Sequence, residues 1–329
     1  MPSVFNFVSP RERILYLKSI PYLSALSSQQ LLPLAECARE RTYPAGAVLL
    51  RADRPVDAAL LVVSGEVALH WDGRKILDAR APQGIGLLGM LARVERGIEA
   101  IATTPVQTLE IAARDLFRVY ERNFSVLGAI IASMAEEIIA LRSGYPADPK
   151  NPPVAGPGSA PDGPLEFVDR LLGYSRNSLF RDSNLDAISE LVQQQSERRW
   201  QPGETIWSKA DHAAWDLWII HGVVDCDPED GRATMSIGAN YTLGMETLAD
   251  RARGYTARAQ TEVIAMVTPA EVYQTILEDH PELSLSVAAS IARLLISARG
   301  SVAMDPPKLP FTDRSVADIY STTSPRTVM

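Results

Sequence analysis

The sequence predicts a mainly β fold with flanking helices (α+β), organised as two β-roll domains in tandem, each a jelly-roll-like double-stranded β-helix. Three observations support this prediction. The chain of 329 residues resembles itself at a fixed shift, each copy contains short β-type runs broken by glycine, and each copy opens and closes with a helical pattern. At roughly 150 residues per domain, this length suits two domains.

A shift of 157 residues aligns one half of the chain with the other and brings Arg96-Gly97 onto Arg253-Gly254. At the same shift, the run LLVVSG that ends at Gly65 falls on LWIIHG, which ends at Gly222. Similarity at a fixed period is typical of a duplicated structural unit. The chain is therefore interpreted as one unit written twice.

Helical patterns mark both ends of each copy. Ser27 and Gln30 form a capping box that predicts a helix over SQQLLPLAECARER, and Asn184 stands at the matching place before LDAISELVQQQSER. Apolar residues then recur at helical spacing near the end of each copy, and they are interpreted as core or dimer contacts. They are Leu127, Ile130, Ile131, Met134, Ile138 and Leu141 in the first copy, and Leu283, Val287, Ile291 and Leu294 in the second.

Between the helices, each copy has short runs rich in Val, Ile, Leu and Trp, at the spacing of a β-sandwich or barrel. The pairs Asp72-Gly73 and Asp230-Gly231 are predicted to be hairpin turns, because a type I′ turn needs positive φ at both central residues.

These patterns predict a first domain over residues 1–142, a linker over 143–165, a second domain over 166–300 and a disordered tail over 301–329. Residues 144–164 contain seven prolines and four glycines. Such a composition disfavours both helix and strand, so a linker is expected there.

The net charge of −8 argues against nucleic acid as a partner, because that surface needs clustered Lys and Arg. Two cysteines, Cys37 and Cys226, fit a reducing cytoplasm. The start of the chain lacks a signal-peptide pattern, and no run is judged to approach the ~18 apolar residues of a membrane helix. A cytoplasmic protein without a membrane partner is expected.

Catalytic patterns are missing from the sequence. The four histidines lack the His-x-His spacing of a metal-dependent β-roll enzyme, and the chain contains no Walker sequence, Gly-x-Ser-x-Gly elbow or kinase signature. A non-enzymatic protein without a metal site is expected.

The order of helix, β-roll, glycine-punctuated turn and closing helix, with YPAGAVLL, ALLVVSGEV and the Arg-Gly turn in place, resembles the cyclic-nucleotide-binding domain. The resemblance covers residues 15–142 and 166–299. In that family, a Phe-Gly-Glu segment begins a short helix whose Glu holds the ribose 2′-hydroxyl. An Arg about ten residues later pairs with the cyclic phosphate.

Carried over to this chain, the resemblance assigns ligand binding to nine residues. They are Gly86, Leu87, Arg96 and Gly97 in the first copy, and Gly244, Met245, Glu246, Arg253 and Gly254 in the second. Phe-Gly-Glu falls on Ile85-Gly86-Leu87 and on Leu243-Gly244-Met245, so the acid is missing from both copies. An indel would bring Glu246 toward the acid's place.

Loss of the ribose acceptor removes on the order of 1.5 to 3 kcal/mol of binding free energy. An Arg near a helix start is still suited to an anion. The competing interpretation places Arg96 and Arg253 on a solvated turn, beside acidic neighbours.

The resemblance implies a non-enzymatic regulatory protein that senses a small phosphorylated ligand, such as cyclic AMP or cyclic GMP, and signals to a protein partner. A homodimer through the closing helices is also expected. The alternative is a ligand-independent scaffold or protein-interaction module with degenerate nucleotide pockets. A transcription factor is disfavoured because only 29 residues follow Gly300, and they carry few cations.

Overall fold

The computed structural model describes residues 9–161, 163–176, 180 and 185–301. Two compact units divide between Val126 and Leu127. The predicted cap Asn184 and the predicted tail beyond Ser301 lie outside the described residues. The predicted domain boundaries at residues 142, 165 and 300 stay predictions.

The first unit consists of helices around two four-stranded antiparallel sheets. One sheet has the order β1-β8-β3-β6 and the other β2-β7-β4-β5. A 3₁₀ turn, Pro21–Leu23, lies between the first two helices. The elements are α1 Pro10–Lys18, α2 Ser28–Cys37, β1 Arg39–Tyr43, β2 Val48–Leu50, β3 Ala58–Ser64, β4 Glu66–Trp71, β5 Arg74–Arg80, β6 Gly84–Ile85, α3 Leu87–Leu91, β7 Ile98–Ala102, β8 Val106–Ala112 and α4 Ala113–Arg122.

The second unit repeats this topology. Its sheets have the orders β9-β16-β11-β14 and β10-β15-β12-β13, which match the first unit strand by strand. The elements are α5 Phe124–Leu141, which begins before the division, α6 Phe167–Arg176, α7 Leu185–Gln193, β9 Ser196–Trp200, β10 Thr205–Trp207, β11 Trp215–His221, β12 Val224–Asp227, β13 Met235–Ile237, β14 Thr242–Leu243, the 3₁₀ turn Met245–Thr247, β15 Thr256–Ala259, β16 Val263–Pro269, α8 Ala270–Asp279 and α9 Pro281–Ser301. The predicted tandem of β-rolls is confirmed.

Strand position explains the composition of the strands. β3 lies inside its sheet, between β8 and β6, and its side chains are buried along most of its length, so AALLVVS is an almost continuous apolar run. β1 has the sequence RERTY and lies at the edge of the same sheet, where charged side chains discourage pairing with another chain.

The predicted capping box is confirmed, whereas the predicted helix length is wrong. Ser27 accepts from the amide of Gln30, and the Gln30 side chain accepts from the Ser27 amide. The helix ends at Cys37 because Ala38 takes an extended conformation, and Arg39–Tyr43 pairs with β8. In the second copy, α7 ends at Gln193 and Ser196–Trp200 pairs with β16.

The two Asp-Gly pairs differ. Asp72 and Gly73 both have positive φ, 46° and 75°, between β4 and β5, as the predicted type I′ turn requires. In the second copy, the positive φ values fall on Glu229 and Gly231, within a longer connection between β12 and β13. The prediction for Asp230-Gly231 is therefore wrong, because the extra residues leave room for a wider loop.

The closing helices also bear on membrane insertion. Phe124–Leu141 and Pro281–Arg299 are long and apolar enough, by length and composition alone, to cross a membrane. This contradicts the expectation that no run approaches that length. The feature is weak evidence for a membrane span, because core helices meet the same criteria, and most of the second helix is buried.

The glycine that follows β3 in the first unit and β11 in the second is predicted to tolerate no other residue. Gly65 has φ 84° and Gly222 has φ 98°, and an added Cβ would meet the backbone at Pro105 or Glu262 at under 3.0 Å. We expect Gly65→Ala and Gly222→Ala to lower the free energy of unfolding by more than about 2 kcal/mol each, since strain and overlap add. Urea denaturation followed by circular dichroism measures this.

Gly46→Ala is the matched control. Gly46 has the same φ of 84° but nothing lies within 4 Å of an added Cβ, so only the conformational cost of about 1 kcal/mol is expected. Equal losses for Gly46→Ala and Gly65→Ala would contradict the close-approach argument.

Candidate functional site

The Arg-Gly turn of the second unit places a guanidinium in the protein interior. The Arg253 side chain is 1 % exposed. Its backbone is fixed on both sides, because its amide donates to Asp211 O and its carbonyl accepts from the Ala210 amide. The predicted solvated turn is therefore wrong for Arg253.

Two tryptophans hold the buried guanidinium. Cζ of Arg253 lies 4.0 Å from the ring centre of Trp207 and 5.5 Å from that of Trp215. Nη2 of Arg253 also donates to the carbonyl of Trp215. Stacking on aromatic rings is strongest where water is excluded, at about 2 kcal/mol or more, so these rings offset part of the cost of burying the charge.

Glu246 compensates the charge of Arg253. Its carboxylate is 4 % exposed and lies 3.6 Å from Nη1 of Arg253, while the Gly254 amide donates to its other oxygen at 3.5 Å. Burial lowers the pKa of Arg253, and Glu246 opposes that shift. The carboxylate of Glu246 thus lies against the Arg-Gly pair that the resemblance assigns to a phosphate.

A second acid, Asp216, lies against Gly244, the residue that precedes the 3₁₀ turn Met245–Thr247. Gly244 has φ 111°, and an added Cβ would meet Asp216 at 2.9 Å, so the two residues are in close contact. Burial raises the pKa of Asp216 to about 7, while a hydrogen bond to Thr268 and the charge of Arg253 oppose the shift. Met245 begins the 3₁₀ turn that carries Glu246.

The equivalent segment of the first unit has a different character. Gly86, with φ 87°, precedes the short helix α3, and Leu87 is its first residue. Arg96 is exposed and makes no hydrogen bond or ion pair with any residue that the structure describes. The prediction of a solvated position thus fits Arg96.

Gly97 follows Arg96 and is buried. An added Cβ would lie 2.5 Å from Oδ1 of Asp72, and the Asp72 amide donates to Gly97 O at 2.9 Å. The hairpin turn of β4 and β5 therefore touches the Arg96-Gly97 turn, and it brings a carboxylate beside it.

The difference between the two turns follows from the repeat. At the shift of 157, Trp207 corresponds to Leu50 and Trp215 to Ala58. Glu246 stands two residues after Gly244, and Leu88 stands two residues after the equivalent Gly86. The first unit thus lacks both aromatic rings and the compensating acid, so burial of its guanidinium would be costly. These differences between the copies are visible in the sequence. Aligning the copies beyond the Arg-Gly turn would have identified Trp207, Trp215 and Asp216 as candidate site residues.

A cavity of about 110 Å³ lies in the second unit, beside the 3₁₀ turn that carries Glu246. Its lining includes Arg142, Tyr145, Glu246 and Tyr255. Among the described residues, no three His, Cys, Asp or Glu side chains come together as a metal site would require.

A family model described as the cyclic nucleotide-binding domain matches residues 40–123, which lie within the first unit and include Arg96. No curated protein matches the sequence.

Three solved structures with similar folds are regulatory subunits or domains of protein kinase A. A regulatory subunit of a cAMP-independent protein kinase A from Trypanosoma brucei is 15% identical, with 93% of each chain covered and a TM-score of 0.34. The corresponding subunit from Trypanosoma cruzi, bound to guanosine, is 14% identical, with 84% of this chain and 87% of that chain covered and a TM-score of 0.33. The regulatory domain of Toxoplasma gondii protein kinase A, crystallised with cAMP, is 11% identical, with 91% and 100% covered and a TM-score of 0.34.

Glu246 is predicted to stabilise the second unit through Arg253. Glu246→Gln leaves the buried guanidinium uncompensated, so we expect the free energy of unfolding to fall by roughly 3 kcal/mol. Tryptophan fluorescence follows this transition, because four of the five tryptophans lie in the second unit. Glu262→Gln, at an exposed position of the same unit, is the control. Equal losses in the two variants would refute the role of Glu246.

Asp216 is predicted to make the second unit less stable as the pH rises from about 4 to about 7. Its pKa in the folded state is about 7, against 3.8 as its ordinary value, so the unfolded chain releases the proton first. Asp216→Asn should therefore gain stability over the natural protein by on the order of 4 kcal/mol at pH 8 and little at pH 4. Thermal unfolding across this range measures the gain.

Asp250→Asn serves as the control, because Asp250 is exposed and asparagine tolerates its positive φ of 49°. A gain for Asp216→Asn that does not change with pH would show that the carboxyl is ionised throughout.

Proposed function

We propose that this chain, which carries a cyclic nucleotide-binding domain in its first unit, is a non-enzymatic regulatory protein that senses a small phosphorylated ligand there. The proposal rests on the exposure of Arg96 and on its lack of an ion pair within the described residues. Its guanidinium is exposed and forms no ion pair within the described residues, whereas that of Arg253 is buried beside Glu246.

An anion needs a cation that is not already neutralised. Arg96 lies at the turn that the resemblance assigns to the cyclic phosphate, and the family model includes that turn. A guanidinium also forms paired hydrogen bonds with phosphate oxygens. Arg96 is thus the residue through which the first unit would hold the phosphate, with the backbone at Gly86 and Gly97 lining the site.

Two features weaken binding relative to a site with a ribose acceptor. Leu87 stands where the family has its acid, so the ribose 2′-hydroxyl lacks a partner. The Asp72 carboxylate beside Gly97 repels an anion. A ligand without a critical ribose hydroxyl, or with more than one phosphate, suits these residues better than the natural ligand of the family. Cyclic dinucleotides, which carry two phosphates, are therefore candidate ligands of the first unit.

Ligand occupancy would change the relative stability of two arrangements of the protein, since a ligand favours the arrangement that it binds better. The structural neighbours are regulatory parts of a kinase. By analogy, the partner of this chain would be a protein whose activity the occupied first unit alters. The proposed closing-helix homodimer and a cytoplasmic location belong to the same proposal.

A second function is favoured by the geometry of the second unit. There, Glu246 neutralises Arg253 without any ligand, as a ligand-independent interaction module would allow. The two functions are compatible, because each concerns a different unit.

Arg96 is predicted to carry ligand binding. Isothermal calorimetry with cyclic AMP, cyclic GMP and cyclic dinucleotides up to ~1 mM should give heat with the natural protein, and Arg96→Ala should weaken binding by at least about tenfold. Arg93→Ala is the matched control, because Arg93 is an exposed cation on the same segment.

Equal weakening by Arg93→Ala and Arg96→Ala would show general charge attraction instead of a site. If the natural protein gives no heat but Leu87→Glu binds a cyclic nucleotide, then the first unit is a degenerate pocket and the interaction module is the better function.

A further inference from the structure

The start of the predicted linker lies inside the second unit. Tyr145 is 9% exposed and Ala147 is 2% exposed, and both belong to the hydrophobic core between the two sheets of that unit. Their neighbours in the core include Trp207, Leu217 and Tyr255. Residues 143–147, the plug segment, therefore pack as core residues, although no helix or strand is formed there.

The plug segment rests directly on the Arg-Gly turn. A Cβ added at Gly254 would lie 2.9 Å from the carbonyl oxygen of Gly144 and 3.2 Å from its Cα. The φ of Gly254 lies outside the left-handed region, so its backbone conformation suits any residue. Glycine is required at position 254 because of the space that Gly144 takes, and even the methyl group of alanine would not fit.

Polar contacts fix the plug segment at both ends. Nη1 of Arg232 donates to the Ser143 carbonyl at 2.9 Å, and its Cζ lies 4.8 Å from the ring centre of Tyr145. The Tyr145 hydroxyl donates to Ala233 O at 2.6 Å. Pro146 O accepts from Arg142 Nη1 at 2.7 Å and from the Tyr241 hydroxyl at 3.1 Å.

Downstream residues hold the following stretch against the same unit. The Gly222 amide donates to Pro157 O at 2.8 Å, and the Ala239 amide donates to Gly156 O at 2.9 Å. The chain at Gly156 and Pro157 is therefore attached to the roll instead of forming a free spacer. This attachment keeps the plug segment close to the Arg253-Gly254 turn.

The remaining space is small and is lined in part by polar groups. The cavity of about 110 Å³ beside Tyr145 is well below the ~300 Å³ at which ligand pockets begin. Buried atoms around it have no hydrogen-bond partner, namely Nε of Arg142, Oε2 of Glu246 and the hydroxyl of Tyr255. These groups are suited to polar atoms that the plug segment does not supply.

We propose that the plug segment is a built-in occupant of the second unit, which keeps phosphorylated ligands away from the Arg253-Gly254 turn. Tyr145 and Ala147 fill the apolar part of the site, and the carboxylate of Glu246 takes the place of the anion. The second unit thus holds its closed state without ligand, and displacing the segment opens a site for a cyclic nucleotide. This inference concerns the second unit and does not depend on Arg96.

Gly254→Ala tests the position of the segment, because the new methyl group must push Gly144 away. Hydrogen exchange followed by mass spectrometry should show amides of residues 143–147 exchanging at least about tenfold faster. Gly163→Ala is the control, since nothing lies within 4 Å of a Cβ added there. Equal exchange in the two variants would overturn the proposal.

Ligand binding tests the consequence in an Arg96→Ala background, in which we expect the first unit to bind at least about tenfold more weakly. The triple variant Arg96→Ala, Glu246→Gln and Gly254→Ala should bind cyclic AMP at ~1 mM with more heat than Arg96→Ala alone. A second triple variant replaces Gly254→Ala by Tyr145→Ala and removes the occupant from the inside, in case the first variant does not fold. A folded triple variant that gives no more heat than Arg96→Ala alone would overturn the proposal.

Discussion

The arrangement of the second unit depends on the burial of one guanidinium. A charge of that size cannot leave water without compensation, and Arg253 receives it from the faces of Trp207 and Trp215 and from the carboxylate of Glu246. Each compensating group sits on a different element, so β10, β11 and the 3₁₀ turn must all be in place together. The result is a corner of the roll in which groups of the same unit compensate the charge of Arg253.

The first unit has the same topology without this constraint. Leu50, Ala58 and Leu88 occupy the positions of the two tryptophans and the acid. Nothing there offsets the desolvation of a guanidinium, and Arg96 stays in water. The duplicated fold thus leaves one cation exposed to solvent, while the other is buried and compensated by Glu246.

The stretch predicted to be a linker has a structural part in the second unit. Its prolines and glycines prevent regular structure, yet Tyr145 and Ala147 are as buried as core residues of the strands. Gly254 makes room for Gly144, and Gly144 with φ 81° lets the chain turn into the roll. A composition that predicts a spacer is therefore compatible with a packed segment. Irregular backbone can be buried where side chains and amides of the roll form hydrogen bonds with its N–H and C=O groups.

The sequence by itself determined the duplication, the β-rolls and the capping box at Ser27, because these depend on local periodicity and on residues close together in the chain. It also located both Arg-Gly turns and predicted the type I′ turn at Asp72-Gly73. It placed the helix ends too late, since pairing of β1 with β8 is a non-local contact that overrides the polar helical pattern of ARER. Only the tertiary structure decided that Arg253 is buried while Arg96 is exposed, that Glu246 faces Arg253, and that Tyr145 enters the roll. The physical reason is that solvation of a charge depends on everything that surrounds it, and those neighbours come from segments far apart in the sequence.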